Sequence, residues 1–360
     1  MIKYLGSKRR LVPVLEAVCA AAGARTAADL FSGTSRVGQA FKRAGAHVTA
    51  VDATRCAHVL ASCYVATDAD EVDGDALAAT IAALDALPPR PGYVTEVFCR
   101  QARFFTPANG ARIDAIRAAI GADWAGSPWE PILLTALIEA ADRVDSTTGV
   151  QMAYLKRWAP RAERPLALRV PVLVRGPGRA LRGDAVALAA TLGPVDLAYL
   201  DPPYNQHAYV ANYHVWETLI AGDEPEHYGV ACKRFDARSA EHASAFNRKA
   251  TMPAALAEVV AGIGARVVAL SYNDESWIAL DELLELLAGW GAVEVVAFDA
   301  PRYVGARIGI HNPAGKRVGT VGRTRNVEWL LLAGPPDEVP RLAEAARAAE
   351  PIGLRPSNWV

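Results

Sequence analysis

Residues 27–52 read AADLFSGTSRVGQAFKRAGAHVTAVD and contain one complete strand–helix–strand unit. The apolar start predicts a strand that leads into the Gly/Ser turn 32–35, and a helix follows over about 36–44. Gly45 ends that helix, and the next apolar run predicts a second strand that finishes at Asp52. A helix between two such strands is the start of a doubly wound parallel sheet.

The turn after the first strand permits a ligand to approach its backbone amides closely. It is not Gly-x-Gly-x-x-Gly, because Ser35 stands where the second glycine would be, and this argues against a pyrophosphate cradle. Asp52 ends the second strand, where an acid typically binds ribose hydroxyls. Together with Asp29 in the first turn, it favours a cationic, ribose-containing ligand such as S-adenosylmethionine. The alternative is a plain strand–helix turn with a capping aspartate.

A second motif, Asp-Pro-Pro-Tyr at 201–204, directly follows the apolar run 195–200. The run predicts a buried parallel strand that the two prolines stop abruptly. An acid, a rigid turn and an aromatic ring then lie together at the carboxyl edge of the sheet, where ligands bind in open α/β folds. The acid can accept hydrogen bonds from an exocyclic amine, and the ring can stack on a base. The alternative is a sharp turn followed by a core tyrosine.

The other predicted strands divide the chain into an interrupted sheet domain and a helical insertion. The predicted domain bounds are 1–64 and 180–334 for the catalytic part, 65–179 for a target-recognition insertion, and 335–360 for a C-terminal extension. Apolar runs predict further strands at 170–175, 266–272, 293–298 and 327–333. Helical patterns lie at about 76–87, 111–120, 131–144, 213–221, 253–263, 278–289 and 342–349.

Composition excludes several classes of protein. The 360 residues are 52% hydrophobic and 21% charged, as in an ordinary globular protein. The net charge is −1, so the overall charge does not indicate a nucleic-acid partner. The five cysteines form no Cys-x-x-Cys pair and predict reduced core thiols. The seven histidines lack ligand spacing, so no metal is expected. No signal-peptide core or membrane-spanning run is present, and we expect a soluble, cytoplasmic protein.

Local basic segments carry the argument for a phosphate-rich partner. From residue 301 to 327 the chain has six cations and no acidic residue, and glycines are interleaved with the cations. This pattern predicts phosphate contacts, and the alternative is a solvated loop. The cations are Arg302, Arg307, Lys316, Arg317, Arg323 and Arg325. A second basic group in the insertion comprises Arg100, Arg103, Lys156, Arg157, Arg161 and Arg164.

Two further residues have two interpretations each. Asp184 follows a strand-like segment and either caps the helix that starts near Val186 or accepts a hydrogen bond from an adenine amino group. Tyr213 lies at the start of an amphipathic helix, so core packing is its default, and the alternative is a second wall of a base pocket that would contact DNA.

Taken together, these motifs resemble the D12 class of N6-adenine-specific DNA methyltransferases, which includes the Dam-like enzymes. Residues 3–8 (Lys-Tyr-Leu-Gly-Ser-Lys) are similar to the N-terminal cofactor motif of that family, and 29–35 to its glycine-rich loop. Residues 201–204 match its catalytic motif. The resemblance implies that S-adenosyl-L-methionine is bound by Tyr4, Gly6, Lys8, Asp29, Phe31, Gly33, Thr34, Ser35, Asp52 and Asp184.

The resemblance also implies a Rossmann-like methyltransferase sheet and methyl transfer to N6 of a flipped adenine in duplex DNA. Asp201, Pro202 and Tyr204 would be the catalytic residues. A cognate restriction endonuclease is left open as a partner, and the long insertion means that the target sequence cannot be carried over. Two alternatives remain: an RNA base methyltransferase, and a catalytically silent DNA-binding module.

Overall fold

The structure is a computed structural model that describes residues 2–203, 208–239, 242–301 and 324–356. Within these ranges the main sheet has eight strands in the order β10-β8-β9-β7-β4-β1-β2-β3. They are β1 (Thr26–Asp29), β2 (His47–Asp52), β3 (Gly178–Arg182), β4 (Val195–Leu200), β7 (Ala265–Asn273), β8 (Ala292–Pro301), β9 (Arg325–Gly334) and β10 (Arg355–Pro356). A separate small hairpin pairs β5 (His227–Tyr228) with β6 (Lys233–Arg234).

The α-helices surround this sheet and fill the insertion. They are α1 (Val12–Ala21), α2 (Arg36–Arg43), α3 (Arg55–Ala61), α4 (Gly74–Asp85), α5 (Pro107–Asp123), α6 (Glu130–Arg143), α7 (Ala185–Ala189), α8 (Tyr209–Asn212), α9 (His214–Ala221), α10 (Met252–Gly262), α11 (Leu280–Leu287) and α12 (Val339–Ala348). A 3₁₀ turn spans Lys8–Arg10, and π-helical segments span Ser62–Ala66 and Val94–Gln101.

The sheet confirms the predicted fold class. Strands β3, β2, β1, β4 and β7 are parallel, whereas β9, β8 and β10 add antiparallel pairs at one side. Apolar side chains of α1, α2 and α12 cover one face, and those of α7, α10 and α11 cover the other. A mostly parallel sheet needs this double cover because both of its faces are apolar. The protein therefore has a Rossmann-like, doubly wound architecture.

The strand predicted at 170–175 is wrong. That segment is irregular, and the edge strand β3 instead begins at Gly178 and pairs with β2. A Cβ at Gly178 would lie only 2.4 Å from the carbonyl oxygen of Val65. The chain therefore joins the sheet at a glycine, because only a residue without a side chain fits against the π-helical segment. Pro171 has no N–H to donate to a neighbouring strand, and it lies in the segment that stays unpaired.

The inserted helices share one core with the catalytic part. Phe98, Ile116 and Leu137 from the insertion are fully buried in the same cluster as Leu60 of α3 and Trp216 of α9. This shared core holds the insertion against the helices that flank the sheet edge. The domain bounds themselves remain predictions.

The C-terminal segment completes the sheet domain. Val339 and Leu342 of α12 are fully buried in the cluster that includes Leu15 of α1, and β10 pairs with β8 at the outer edge of the sheet. Because this helix covers apolar surface of the sheet, at least residues 339–348 contribute to the fold.

The described residues include no helix long and apolar enough to cross a membrane. The same ranges contain no group of three or more His, Cys, Asp or Glu side chains arranged to hold a metal ion. All five cysteines are free and buried, as predicted for core thiols.

Candidate active site

A cavity of about 530 Å³ opens at the carboxyl ends of β1 to β4. Ten of the predicted cofactor and catalytic residues form part of its wall, although they come from five separate segments of sequence. They are Tyr4, Gly6, Lys8, Asp29, Phe31, Gly33, Thr34, Asp52, Asp184 and Asp201. The parallel strands explain this convergence, because their carboxyl ends meet at one edge of the sheet.

Asp201 directly follows β4 and forms an ion pair with Lys8. The Lys8 Nζ lies 2.9 Å from Asp201 Oδ1 and 3.9 Å from Glu328 Oε2 of β9. The Asp201 side chain keeps 15% of its surface exposed, whereas Lys8 keeps 8%. Burial raises the pKa of Asp201, and the nearby Lys8 ammonium lowers it. A carboxylate accepts several hydrogen bonds, so this pair leaves acceptor capacity on Asp201.

The two prolines fix the backbone beyond Asp201. Pro202 is buried, and both prolines line a small adjoining cavity with Leu5, Gly6 and Tyr209. Since proline fixes φ, this turn has little freedom to move the acid or the Pro202 carbonyl. Tyr204 lies outside the described residues.

Asp29 is a buried acid with an unsatisfied oxygen. Its Oδ2 accepts a hydrogen bond from the Gly38 N–H at 3.0 Å, whereas its Oδ1 has no hydrogen-bond partner. Burial raises the pKa of Asp29 to about 8, although the Gly38 N–H acts in the opposite direction. An unpaired buried carboxylate oxygen on a cavity wall is suited to a cationic or hydrogen-bond-donating ligand.

Asp52 links the first turn to the second strand. Its Oδ2 accepts the Gly33 N–H at 3.0 Å, and its Oδ1 accepts the N–H and the hydroxyl of Thr54, each at 2.9 Å. Burial raises the pKa of Asp52, and these donors lower it. The acid is thus held in a fixed orientation on the cavity wall.

The N-terminal motif lies against the glycine turn through an aromatic stack. Tyr4 stacks on Tyr213, with ring centroids 4.7 Å apart, and on Tyr209 at 5.3 Å. Gly33 has a φ of +48°, and a Cβ there would lie 3.0 Å from the Tyr4 ring. Glycine is therefore favoured at this position both by conformation and by space.

Tyr213 itself is 2% exposed and does not line the cavity. Its hydroxyl accepts the Leu5 N–H at 2.6 Å, so it supports the N-terminal motif from behind. Tyr209, one helical turn earlier, lies on the cavity wall. The helical pattern includes both rings and does not show which one faces the cavity.

Asp184 caps a helix, as one of its two interpretations predicts, and it also lies on the cavity wall. Its Oδ1 caps α7 by accepting the Val186 N–H at 2.9 Å, and the residue also lies on the cavity wall beside Arg182 and Gly183. The capping bond leaves the second carboxylate oxygen as a further acceptor.

Ser35 is fully buried and does not line the cavity. It adopts a left-handed conformation with a φ of +57°, and its hydroxyl has no hydrogen-bond partner. Both features are unfavourable for serine, because L-residues crowd their own carbonyl in this region and a buried hydroxyl loses its water.

We therefore expect Ser35→Gly to raise the free energy of unfolding by about 1 kcal/mol. Urea unfolding with an unchanged m-value would measure this. Ser35→Ala is the matched control, since it removes the hydroxyl but keeps the Cβ at positive φ. A glycine variant no more stable than the alanine variant would contradict the role of backbone strain.

Several cavity residues were missed by the sequence motifs. Besides Tyr209, they are Arg36, Arg182, His242, Ser244, Phe246 and Asn247. Phe246 packs edge-to-face on Phe31, with ring centroids 5.0 Å apart. Residues 242–247 carry no recognisable motif, and only their packing against the first turn shows that they line the cavity. Glu328, the second acid beside Lys8, was also missed, because the apolar run at 327–333 predicts only a strand.

The basic segments are only partly described. Arg302, Arg307, Lys316, Arg317 and Arg323 lie outside the described residues. Arg325 is 46% exposed, and its Nε lies 2.7 Å from Asp299 Oδ1. In the insertion, Arg103 stacks over Trp158 at 4.6 Å, Arg161 pairs with Asp145 at 2.7 Å, and Lys156 and Arg157 are exposed.

A doubly wound sheet with four acids around one cavity and an Asp-Pro-Pro turn after the fourth strand defines a Rossmann-like methyltransferase. Residues 4–278 match the model of the D12 class N6 adenine-specific DNA methyltransferases. The chain belongs to this family. It is therefore an adenine-specific DNA methyltransferase, as the motifs implied.

Named relatives agree with this assignment. The chain is 27% identical to the Type II methyltransferase M.NlaIII of Neisseria lactamica over 84% of this chain and 92% of that protein. It is 29% identical to the Type II methyltransferase M.CviAII of Paramecium bursaria Chlorella virus 1, over 59% and 64%. It is 26% identical to the Modification methylase StsI of Streptococcus sanguinis, over 79% and 46%.

Proposed function

We propose that this enzyme transfers a methyl group from S-adenosylmethionine to N6 of a flipped adenine in duplex DNA. Asp201, Pro202 and Tyr204 act on the adenine. The observation that carries this proposal is the position of Asp201, which faces the same cavity as Asp29, Asp52 and Asp184. One cavity thus offers an acceptor for an amine next to a set of acids suited to a cationic nucleoside.

The cavity residues fit the proposed cofactor. The unsatisfied Asp29 Oδ1 suits the cationic methionine part, Asp52 at the end of β2 suits the ribose hydroxyls, and Asp184 suits the adenine amino group. When bound, the cofactor supplies an electrophilic methyl group on its sulfonium. Tyr4, Gly6, Phe31, Gly33 and Thr34 would form the remaining walls.

Asp201 and Pro202 would activate the adenine amine. The lone pair of this amine is delocalised into the ring, which makes it a poor nucleophile. Hydrogen bonds from the amine to the Asp201 carboxylate and the Pro202 carbonyl draw the lone pair out of conjugation. The same acceptors stabilise the positive charge that develops on nitrogen in the transition state. The rigid turn keeps them in place, and no covalent intermediate with the enzyme is needed.

The adenine must leave the duplex to reach this cavity. Flipping costs a few kcal/mol, which stacking and hydrogen bonding in the pocket offset. Tyr204 is proposed as the stacking surface. Arg302, Arg307, Lys316, Arg317, Arg323 and Arg325 are proposed to contact DNA phosphates. Residues 65–179 are proposed to select the target sequence, and the type II relatives support a cognate restriction endonuclease as a partner in the cell.

Cofactor binding should depend on pH through Asp29. Its pKa of about 8 means that the carboxyl is mostly protonated at neutral pH, and a cationic ligand favours the ionised form. Binding then releases a proton, so affinity should increase as the pH rises through about 8. Calorimetric titration of S-adenosylmethionine at several pH values measures this. Asp29→Asn should remove this dependence, and identical pH profiles for both proteins would contradict the proposed role.

The proposed function is tested by methyl transfer from labelled S-adenosylmethionine. Unmethylated duplex DNA should accept label and yield N6-methyladenine on digestion, whereas DNA already treated with the enzyme should not. Label in RNA rather than DNA would favour the RNA alternative, and DNA binding without transfer would favour the silent module. Modification-sensitive sequencing of DNA from expressing cells would then report the target sequence.

A further inference from the structure

Arg36 is a cation on the cavity wall that has no anionic partner. It begins α2 directly after the turn 32–35 and lines the cavity. Its Nε is buried without a hydrogen-bond partner, and no carboxylate in the described ranges lies within ion-pair distance of it. An arginine stays charged in proteins, so a bound anion would stabilise this partly buried side chain.

The surroundings of Arg36 do not supply that anion. Arg9 repels it, and the attraction of Glu139 on α6 acts from beyond ion-pair distance. The Oε1 of Glu139 accepts the Tyr64 hydroxyl at 2.6 Å. Burial is the main cause that lowers the pKa of Arg36, and Glu139 and Tyr64 act in the opposite direction.

The other basic side chains of the cavity are placed differently. Lys8 is engaged by Asp201 and Glu328, and Arg182 is exposed beside Asp184. Arg36 differs from Lys8 because no acid in the described part of the chain engages it, and from Arg182 because its Nε is buried.

The proposed cofactor has one anionic group, the α-carboxylate of its methionine part. The acids Asp29, Asp52, Asp184 and Asp201 on the wall suit its cationic and hydroxyl groups but would repel this carboxylate. If adenine binds near Asp184, ribose near Asp52 and the methyl group is directed to Asp201, the methionine part would lie near the turn that Arg36 follows. We propose that Arg36 binds this α-carboxylate, an inference that rests on the proposed function.

The test compares two ligands that differ only in this group. Decarboxylated S-adenosylmethionine keeps the sulfonium and the amine but lacks the carboxylate. Calorimetric titration gives the affinity of each ligand, and the ratio of the two affinities reports the contribution of the carboxylate. In Arg36→Gln we expect this ratio to fall by about 10- to 100-fold, since a charge-assisted pair is lost. The affinity for the decarboxylated ligand should change little.

Two further variants keep the result interpretable. Arg36→Lys retains the charge, so the ratio should fall less than in Arg36→Gln, and it serves if the glutamine variant fails to fold. Arg43→Gln removes an exposed arginine at the other end of the same helix, where it pairs with Glu16, and should leave the ratio unchanged.

The outcomes separate the two proposals. If both Arg36 variants keep the wild-type ratio while S-adenosylmethionine still binds, the role of Arg36 is wrong and the proposed function stands. If the wild-type protein binds neither ligand, the proposed function fails, and the inference fails with it.

Discussion

Replacing Asp201 with alanine should abolish methyl transfer to DNA, with a loss in kcat of at least about 100-fold. The physical reason is that the carboxylate is the charged acceptor for the adenine amine, and its contribution grows as positive charge develops on nitrogen. Cofactor affinity should largely survive, because Lys8 keeps Glu328 as an acidic neighbour when Asp201 is removed. Single-turnover transfer from labelled cofactor and calorimetric binding measure the two quantities separately.

Two controls sharpen this result. Asp201→Asn keeps the shape and an oxygen acceptor but removes the charge, so it should retain more activity than alanine while remaining far below wild type. Asp123→Ala removes an exposed aspartate at the end of α5 and should behave as wild type. Near wild-type turnover by Asp201→Ala would overturn the mechanism.

Replacing Lys8 with methionine should affect both stability and pH dependence. The Lys8 ammonium lies between Asp201 and Glu328. Burial raises the pKa of both acids, and the positive charge of Lys8 lowers it. Its removal leaves two largely buried carboxyl groups without a counter-ion. Breaking a buried ion pair on one side costs about 3–5 kcal/mol, and protonation of the acids would limit that cost.

The sign of the pH effect follows from these pKa directions. Without Lys8 the pKa of Asp201 rises further, so a larger fraction is protonated at neutral pH and cannot accept from the amine. Activity at saturating cofactor should therefore fall at neutral pH and recover as the pH increases. A carboxyl group whose pKa is higher in the folded than in the unfolded state lowers the free energy of unfolding as the pH rises. The variant should therefore also unfold more easily at alkaline than at mildly acidic pH.

The pH profile of kcat and urea unfolding at two pH values measure these effects. Glu328→Gln is the informative companion, since it removes one acid and keeps the Lys8–Asp201 pair. Adding Glu328→Gln to the Lys8 variant should restore part of the lost stability, because only one uncompensated acid then remains. If the acid limb of the kcat profile falls at the same pH in Lys8→Met as in the wild type, Lys8 does not set the ionisation of Asp201.

Much of the fold could be predicted because its signals are local. The unit β1–α2–β2 follows from apolar runs, one Gly/Ser turn and Gly45, all of which act on neighbours along the chain. The strands β7, β8 and β9 were located within a few residues for the same reason. The edge strand was misplaced at 170–175 because the requirement at Gly178 comes from the distant backbone of Val65.

By itself the sequence determined the chemistry at each strand end: Asp29, Asp52, Asp184 and the turn that begins at Asp201. Apolar runs precede Asp29, Asp52 and Asp201, so the meeting of these three acids at one sheet edge follows from parallel topology. The strand before Asp184 was misplaced, and only the structure brings this acid to the same edge. Only the tertiary structure decided which side chains face the cavity. It buries Ser35 and Tyr213, exposes Arg36 to the cavity, and brings Glu328 to Lys8 across 320 positions of sequence. Periodicity shows that a residue lies on an element, whereas its partners depend on packing between distant segments.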